Sequence, residues 1–389
     1  MKIYKLAHNT IDDNDYQILI NFLKKKKTLT QSKIVNKFQE NFSDFLKTKH
    51  SVFVNSGSSA NLLIAQVLIE GSYLKNRTVV LPSVSWATTV SPYIQLGYKI
   101  IFCDCDKKSL GLDPEHLEKI CKKYNPGLIV LVNVLGHSNN LEKIIFLKKK
   151  YHFEMVEDNC ESLGSYQKKK LGTYGLASSH SFYFGHHIST IEGGMVSTND
   201  KKFFNISLAI RSHGWGRDME KNYKRKLEKK YNIDQFKSLY TFYFSGFNIR
   251  STDLNAALGI NQLKKINKIS KIRNKNFNYY KKKLINFWSQ SSNLHLVSSF
   301  GYATFVKNRM EVYKYLEKNK IQSRPVICGN MANQPFCLNK PINKEKLKNA
   351  EFVDRYGLYL PNHANITLSD IDHITECFLD IAEPISFYN

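Results

Sequence analysis

The stretch Ser181-Phe182-Tyr183-Phe184-Gly185-His186-His187-Ile188-Ser189-Thr190-Ile191-Glu192-Gly193-Gly194 carries two adjacent histidines and little charge. A free imidazole titrates at about 6.5, so either ring is a competent base and acid near neutral pH. A metal site fits less well, because no carboxylate or third histidine lies at ligand spacing. Glu192-Gly193-Gly194 predicts a tight backbone turn. Asp158 stands just past an apolar run, in Val156-Glu157-Asp158-Asn159-Cys160-Glu161-Ser162-Leu163-Gly164. A buried carboxylate needs a cation or strong hydrogen bonds. A protonated ring nitrogen is one such cation; a plain turn cap is the other reading. Asn55-Ser56-Gly57-Ser58-Ser59-Ala60-Asn61 places a glycine-serine turn at the start of a helix. Free backbone N–H groups and hydroxyls there suit a phosphate, and an ordinary serine-capped helix has the same pattern. Pro82-Ser83-Val84-Ser85-Trp86-Ala87-Thr88-Thr89 puts an indole after another apolar run, to stack on a flat ligand or to fill a core.

The elements that must position these residues alternate. Short apolar runs at 52–54, 78–81, 100–103, 128–134 and 153–156 are separated by helix-length segments. That pattern predicts an α/β fold with a mostly parallel central sheet covered by helices on both faces. In such sheets the chemistry gathers beyond the carboxyl ends of the strands, where all four segments fall. An N-terminal helix is expected, capped by Thr10, with Asp12 and Asp13 in its first turn and an apolar stripe of Ile11, Ile18, Leu19 and Phe22. Residues 252–286 read as one long helical bridge between a large domain, 1–251, and a smaller C-terminal α/β domain, 287–389.

In this order the four segments resemble the DegT/StrS-type sugar aminotransferases, which are fold-type I pyridoxal-phosphate enzymes of the aspartate aminotransferase-like kind. The resemblance runs from about residue 5 to the C-terminus and is densest over 50–260. It implies that Gly57, Ser58, Ser59 and Ser181 hold the cofactor phosphate, that Trp86 stacks on the ring, and that Asp158 pairs with the ring nitrogen. Glu161 is implied to lie against the ring face. Asn248, in Gly246-Phe247-Asn248-Ile249-Arg250, is implied to reach the phosphate of a partner subunit, which makes the expected enzyme a homodimer with a shared site.

The departure from the family is at one position. The family's cofactor-anchoring lysine lies six residues before the glutamate of Glu-Gly-Gly, and here that position is His186. No lysine lies between Lys170 and Glu192 to replace it. An imidazole cannot form the stable covalent link to an aldehyde that a lysine amine forms, but it remains a base. The swap resembles the 3-dehydratases of nucleotide-linked 4-keto-6-deoxy sugars. The Asp-Asn-Cys-Glu-Ser stretch, the His-His pair and Arg211-Ser212-His213-Gly214-Trp215 all have counterparts there. The implied reaction is loss of the C3 hydroxyl from GDP-4-keto-6-deoxy-mannose, giving a 4-keto-3,6-dideoxy sugar for surface polysaccharide. L-glutamate is the implied co-substrate that makes the pyridoxamine form. His186 is the implied catalytic residue; His213, Arg250 and Arg324 are substrate candidates. An exposed salt-bridge arginine is the other reading of Arg324.

The formal charge is +24, from 57 lysines and arginines against 33 aspartates and glutamates. The lysines are spread in short clusters, at 24–27, 148–150 and 281–283, rather than in one basic arm, which argues against nucleic-acid binding. A positive field does suit a diphosphate. No run of about 18 apolar residues predicts a membrane span, and the N-terminus lacks a signal peptide's pattern, so a cytoplasmic enzyme is expected. The seven cysteines, Cys103, Cys105, Cys121, Cys160, Cys328, Cys337 and Cys377, form no CxxC pair, and no structural metal is expected. A CDP-sugar 3-dehydrase with an iron–sulfur cluster is a rival, weakened by the gap without cysteines between Cys160 and Cys328. A sugar aminotransferase that tolerates histidine and a catalytically silent ligand-binding relative are the others.

Overall fold

The computed structural model describes residues 2–25, 28–340, 342 and 345–388. Lys26 and Lys27 of the first basic cluster lie outside them. Seven strands form the main sheet: β1 (His50–Val54), β2 (Thr78–Pro82), β3 (Lys99–Cys103), β4 (Leu128–Val132), β5 (Glu154–Asp158), β6 (Ala177–Ser181) and β7 (Gly194–Thr198). Their order is β1-β7-β6-β5-β4-β2-β3. The sheet is parallel except at β7, which runs antiparallel to both β1 and β6.

Burial on both faces explains the continuous apolar strands. Val79 and Leu81 pack into one core with Val130 and Val156, while Val80 packs into another with Ile101, Ile129 and Met155. Successive side chains point to opposite faces, so a strand with helices above and below is apolar at every position. β6 breaks that rule: Ala-Ser-Ser-His-Ser is fully buried yet polar. Its side chains are satisfied by one another and by neighbours, with Ser178 Oγ 3.1 Å from His180 Nε2 and Ser179 Oγ donating to Asn61 at 2.6 Å.

The fourth apolar run is shorter than its sequence suggests. β4 stops at Val132, and Val134–Gly136 form a single tight turn in which Leu135 takes a left-handed conformation at φ 49°. The N-terminal helix spans Asp13–Lys24, and its cap is Asp12, not Thr10. Asp12 and Asp15 exchange bonds in a capping box, while the Thr10 hydroxyl donates to Gln262 at 2.7 Å.

One helix, Asp253–Lys283, runs 31 residues from the main sheet to a second, two-stranded antiparallel sheet, β8 (Gly301–Phe305) and β9 (Gly357–Pro361). Phe277 and Tyr280 of that helix join the core around Tyr302, Leu358 and Leu360. No helix among the described residues is long and apolar enough to cross a membrane.

Candidate functional site

The carboxyl ends of β1, β2, β5 and β6 open onto one cleft. At the end of β1 the helix Gly57–Glu70 begins with Ser56 as its cap, whose hydroxyl accepts from the Ser59 N–H at 3.0 Å. The N–H of Ala60 goes to the Ser56 carbonyl, which leaves those of Gly57 and Ser58 directed out of the helix start. A side chain at Gly57 would put its Cβ 2.6 Å from the Ser181 Cβ and 3.1 Å from the Cys160 sulfur. Only glycine lets the turn close on the ends of β5 and β6. Gly194 acts similarly, since a Cβ there would lie 2.2 Å from the Ser56 carbonyl oxygen. The hydroxyls of Ser58 and Ser181 flank the open N–H groups, and Ser58 is bonded to Thr88 at 3.0 Å. Together these form a donor-rich, anion-accepting cradle.

Asp158 ends β5 and is 6% exposed. Its Oδ2 accepts from Asn61 Nδ2 at 2.8 Å and Thr89 Oγ1 at 2.7 Å, and its Oδ1 from the Cys160 N–H at 3.2 Å. All three donors are neutral. Among the described residues no lysine, arginine or histidine lies within ion-pair distance of it. A buried carboxylate held by neutral donors and lacking a cation fits a cationic ring nitrogen. Trp86 stands at the start of the helix Ala87–Gln95, between the Asp158 contact Thr89 and the Cys328 contact Ser85. At 55% exposed it is not a core tryptophan. The phosphate cradle, the unneutralised carboxylate and the free indole match the chemistry of pyridoxal phosphate.

The loop after β6 carries the histidines. His186 Nδ1 lies 2.9 Å from the Cys160 carbonyl oxygen. A carbonyl only accepts, so Nδ1 carries the hydrogen and Nε2 of the neutral ring keeps its lone pair. Burial is the main cause that holds His186 down at about 4; Arg273 adds to it, and the Cys160 carbonyl and Asp158 oppose it. His187 is 1% exposed and points elsewhere, its Nε2 donating to the Ser298 carbonyl at 2.8 Å. Only His186 keeps an edge open to the cleft. The Phe300 ring sits 5.1 Å from that of His186 and 5.9 Å from that of His187, centre to centre.

Glu161 accepts from the Leu135 N–H at 2.9 Å. Burial, with the nearby Asp158 charge, pushes its carboxyl up to about 7 against that backbone bond. Contacts thus bring together Gly57, Ser58, Ser59, Trp86, Asp158, Ser181 and His186, with Glu161 beside them. Asn248 is exposed; its amide oxygen accepts from Arg250 Nε at 3.1 Å, and Arg250 forms an isolated bridge with Val54 at the end of β1. His213 is exposed on a left-handed backbone, φ 65°. Arg324 is exposed and pairs through its backbone with Tyr359. Among the described residues no hydrogen bond, ion pair or ring contact joins these last four side chains to His186.

Two residues that hold Asp158, Asn61 and Thr89, were not singled out from sequence. Asn61 lies four residues after Gly57, on the same helix face, and that spacing was the available signal. Phe300 and Cys328 carry no local signal; Cys328 Sγ reaches the Ser85 carbonyl at 2.7 Å across 243 residues. A cavity of about 850 Å³ lined by Gln39, Arg211 and Asp218 lies at the opposite end of β1 and shares no residue with the cleft.

Residues 9–379 match the DegT/DnrJ/EryC1/StrS aminotransferase family. The chain is 32% identical to GDP-4-keto-6-deoxy-D-mannose 3-dehydratase of Escherichia coli, over 96% of this chain and 98% of that one. It is 32% identical to the enzyme of the same name from Yersinia pseudotuberculosis, over 94% and 95%. The solved structure of the Escherichia coli enzyme with bound hydrated PLP superposes with a TM-score of 0.88 at 30% identity, covering 97% of this chain and 100% of that one.

Proposed function

Given that the chain belongs to the DegT/DnrJ/EryC1/StrS aminotransferase family, we propose that it is a pyridoxal-phosphate- and glutamate-dependent 3-dehydratase of a nucleotide-linked 4-keto-6-deoxy sugar, with GDP-4-keto-6-deoxy-mannose as substrate. The observation that carries the reading is His186: a base with a free Nε2 stands where the family anchors its cofactor through a lysine.

The open N–H groups of Gly57 and Ser58 and the hydroxyls of Ser58 and Ser181 would hold the cofactor phosphate, with Ser59 supporting the turn. Trp86 would cover the ring, and Asp158 would keep its nitrogen protonated. The bound cofactor supplies an electron sink and an exchangeable amine. His186 takes a carbon-bound proton at Nε2 and returns a proton to the C3 oxygen as the hydroxyl leaves. In the overall reaction the sugar is reduced at C3 by two electrons from glutamate, whose amine is released as ammonia and whose carbon skeleton leaves as the keto acid. Glu161, whose carboxyl burial pushes up to about 7, is assigned as a proton donor toward the ring face.

We assign the enzyme as a homodimer whose partner completes the site. Supporting this, Asn248 is exposed next to Ile249, whose carbonyl accepts from the Asn55 N–H at the end of β1, and its side-chain oxygen accepts from Arg250 of its own chain. His213, Arg250 and Arg324 are assigned to the nucleotide-sugar side. The cytoplasm is the compartment proposed, in keeping with seven free cysteines.

The CDP-sugar reading needs four clustered thiolates for its iron–sulfur centre. Among the described residues no three metal-ligating side chains come together. The deciding experiment is mass spectrometry of products from the GDP- and CDP-linked 4-keto-6-deoxy sugars with L-glutamate and pyridoxal phosphate. A product lighter than the GDP-sugar by one oxygen atom, formed together with 2-oxoglutarate and ammonia, is expected. Turnover of the CDP-sugar alone, or an amino sugar as product, would overturn the assignment.

A further inference from the structure

Arg273 lies in the middle of the long helix and is 2% exposed. Among the described residues no carboxylate lies within ion-pair distance of it, and burial lowers its affinity for the proton to about 9. Its Nη1 donates to three carbonyls, those of Ser299 at 3.1 Å, Phe300 at 3.2 Å, and Asn362. Asn362 answers through its amide, bonded to the Arg273 carbonyl at 3.1 Å and to that of Ser299 at 3.3 Å. The guanidinium also lies 5.7 Å from the Phe300 ring centre.

The segment clasped this way touches both histidines and, through Leu135, reaches Glu161. Ser298 accepts from His187, and the Phe300 ring leans on His186. The Phe300 N–H donates to the Leu135 carbonyl at 3.0 Å, and the Leu135 N–H donates to Glu161. A buried cation without a counter-ion costs several kcal/mol, and well-packed apolar residues do as well for stability alone. We propose that Arg273 is a positioning residue for proton transfer: it fixes Phe300 against His186 and projects an unneutralised positive charge toward that ring. This rests on His186 being the base.

The ionisable groups acting on His186 are Arg273 from the long helix and Asp158 from β5, with His187 beside it in the loop. Asp158 favours the imidazolium, and Arg273 opposes it. Burial dominates, and the charge of Arg273 adds to it.

The test is the titration of the His186 ring by NMR in isotope-labelled, cofactor-free protein, with the signal assigned by its loss in His186→Asn. Arg273→Gln is expected to raise the midpoint by about half a unit or more, since it removes a like charge. An unchanged midpoint in a folded Arg273→Gln protein overturns the proposal. Arg273→Lys keeps the charge and loses the planar fork, and it decides the matter should the glutamine variant fail to fold. It is expected to lower kcat about tenfold with KM nearly unchanged; wild-type kcat overturns the proposal. Should His186→Asn retain full dehydration, the base assignment fails instead, and the NMR midpoints still report on Arg273 separately.

Discussion

The Nδ1 atom of His186 is 2.9 Å from the carbonyl oxygen of Cys160, two residues beyond Asp158. That bond joins the base to the carboxylate that would hold the cofactor ring, through three residues of one chain turn. It fixes the ring's tautomer, and with it the identity of the nitrogen that can take a proton.

Replacing His186 by lysine restores an amine at the anchoring position. Pyridoxal phosphate followed by borohydride should then leave the cofactor covalently on residue 186, seen by peptide mass spectrometry, and dehydration should be lost. The wild-type chain should retain none there. His186→Asn, which cannot shuttle the proton, should lose on the order of 10²- to 10⁴-fold in kcat while still binding cofactor. Full dehydratase activity in either variant places the base elsewhere.

Gly57→Ala tests the phosphate cradle. The added methyl would meet the Ser181 Cβ at 2.6 Å, so the turn must back away from β6. Overpacking of this kind costs about 1–3 kcal/mol. A fall in melting temperature and at least a tenfold weaker hold on pyridoxal phosphate, measured by equilibrium dialysis, are expected. Undiminished binding would remove Gly57 and Ser181 from the cradle.

Much of the site was legible because its residues cluster in four short segments at strand ends, where type and order carry information. The same holds for β2, β3, β4 and β5, whose apolar runs follow from burial on two faces. β6 was not legible as a strand, because its serines and His180 are buried through hydrogen bonds that no local pattern reveals. The reversal of β7 was also hidden, since strand direction leaves no mark on composition. Asn61 and Thr89 lay inside quoted motifs, but their convergence on Asp158 spans 97 and 69 residues of sequence. Arg273 read as one more cation in a lysine-rich helix. Its role follows from carbonyls that arrive from two other segments.

Glu161 predicts a feature of the pH profile. Its carboxyl is pushed up to about 7, so it passes from neutral acid to anion across the physiological range. If the neutral form is the one that donates toward the ring, kcat should fall as pH rises through about 7. Glu161→Gln keeps an acceptor for the Leu135 N–H and has no charge to gain. That variant should stay active and lose the fall near pH 7 in a steady-state profile. An unaltered limb would assign the transition to another group.

The buried histidines predict acid sensitivity of the fold itself. Burial holds His137, His180 and His363 at about 3 and His186 at about 4, and pushes His187 well below its ordinary value. In the unfolded chain each takes up a proton near 6.5. Between about 6.5 and 4 the unfolded state therefore binds protons that the folded state refuses, so stability falls as pH drops. Each such histidine contributes a slope of up to about 1.4 kcal/mol per pH unit. Glu161 works the other way: its raised value stabilises the protonated fold below about 4.5, an advantage lost as pH rises through about 7. One such carboxyl, even with Glu157 and Asp104 shifted in the same direction, is set against five imidazoles. The urea midpoint should drop clearly between pH 7 and pH 5. His137→Gln, at a ring whose Nδ1 lies 3.1 Å from Ser292 Oγ, should make that drop shallower by about one proton. Equal midpoints at the two pH values would mean that these rings are already charged, or already wet, in the folded protein.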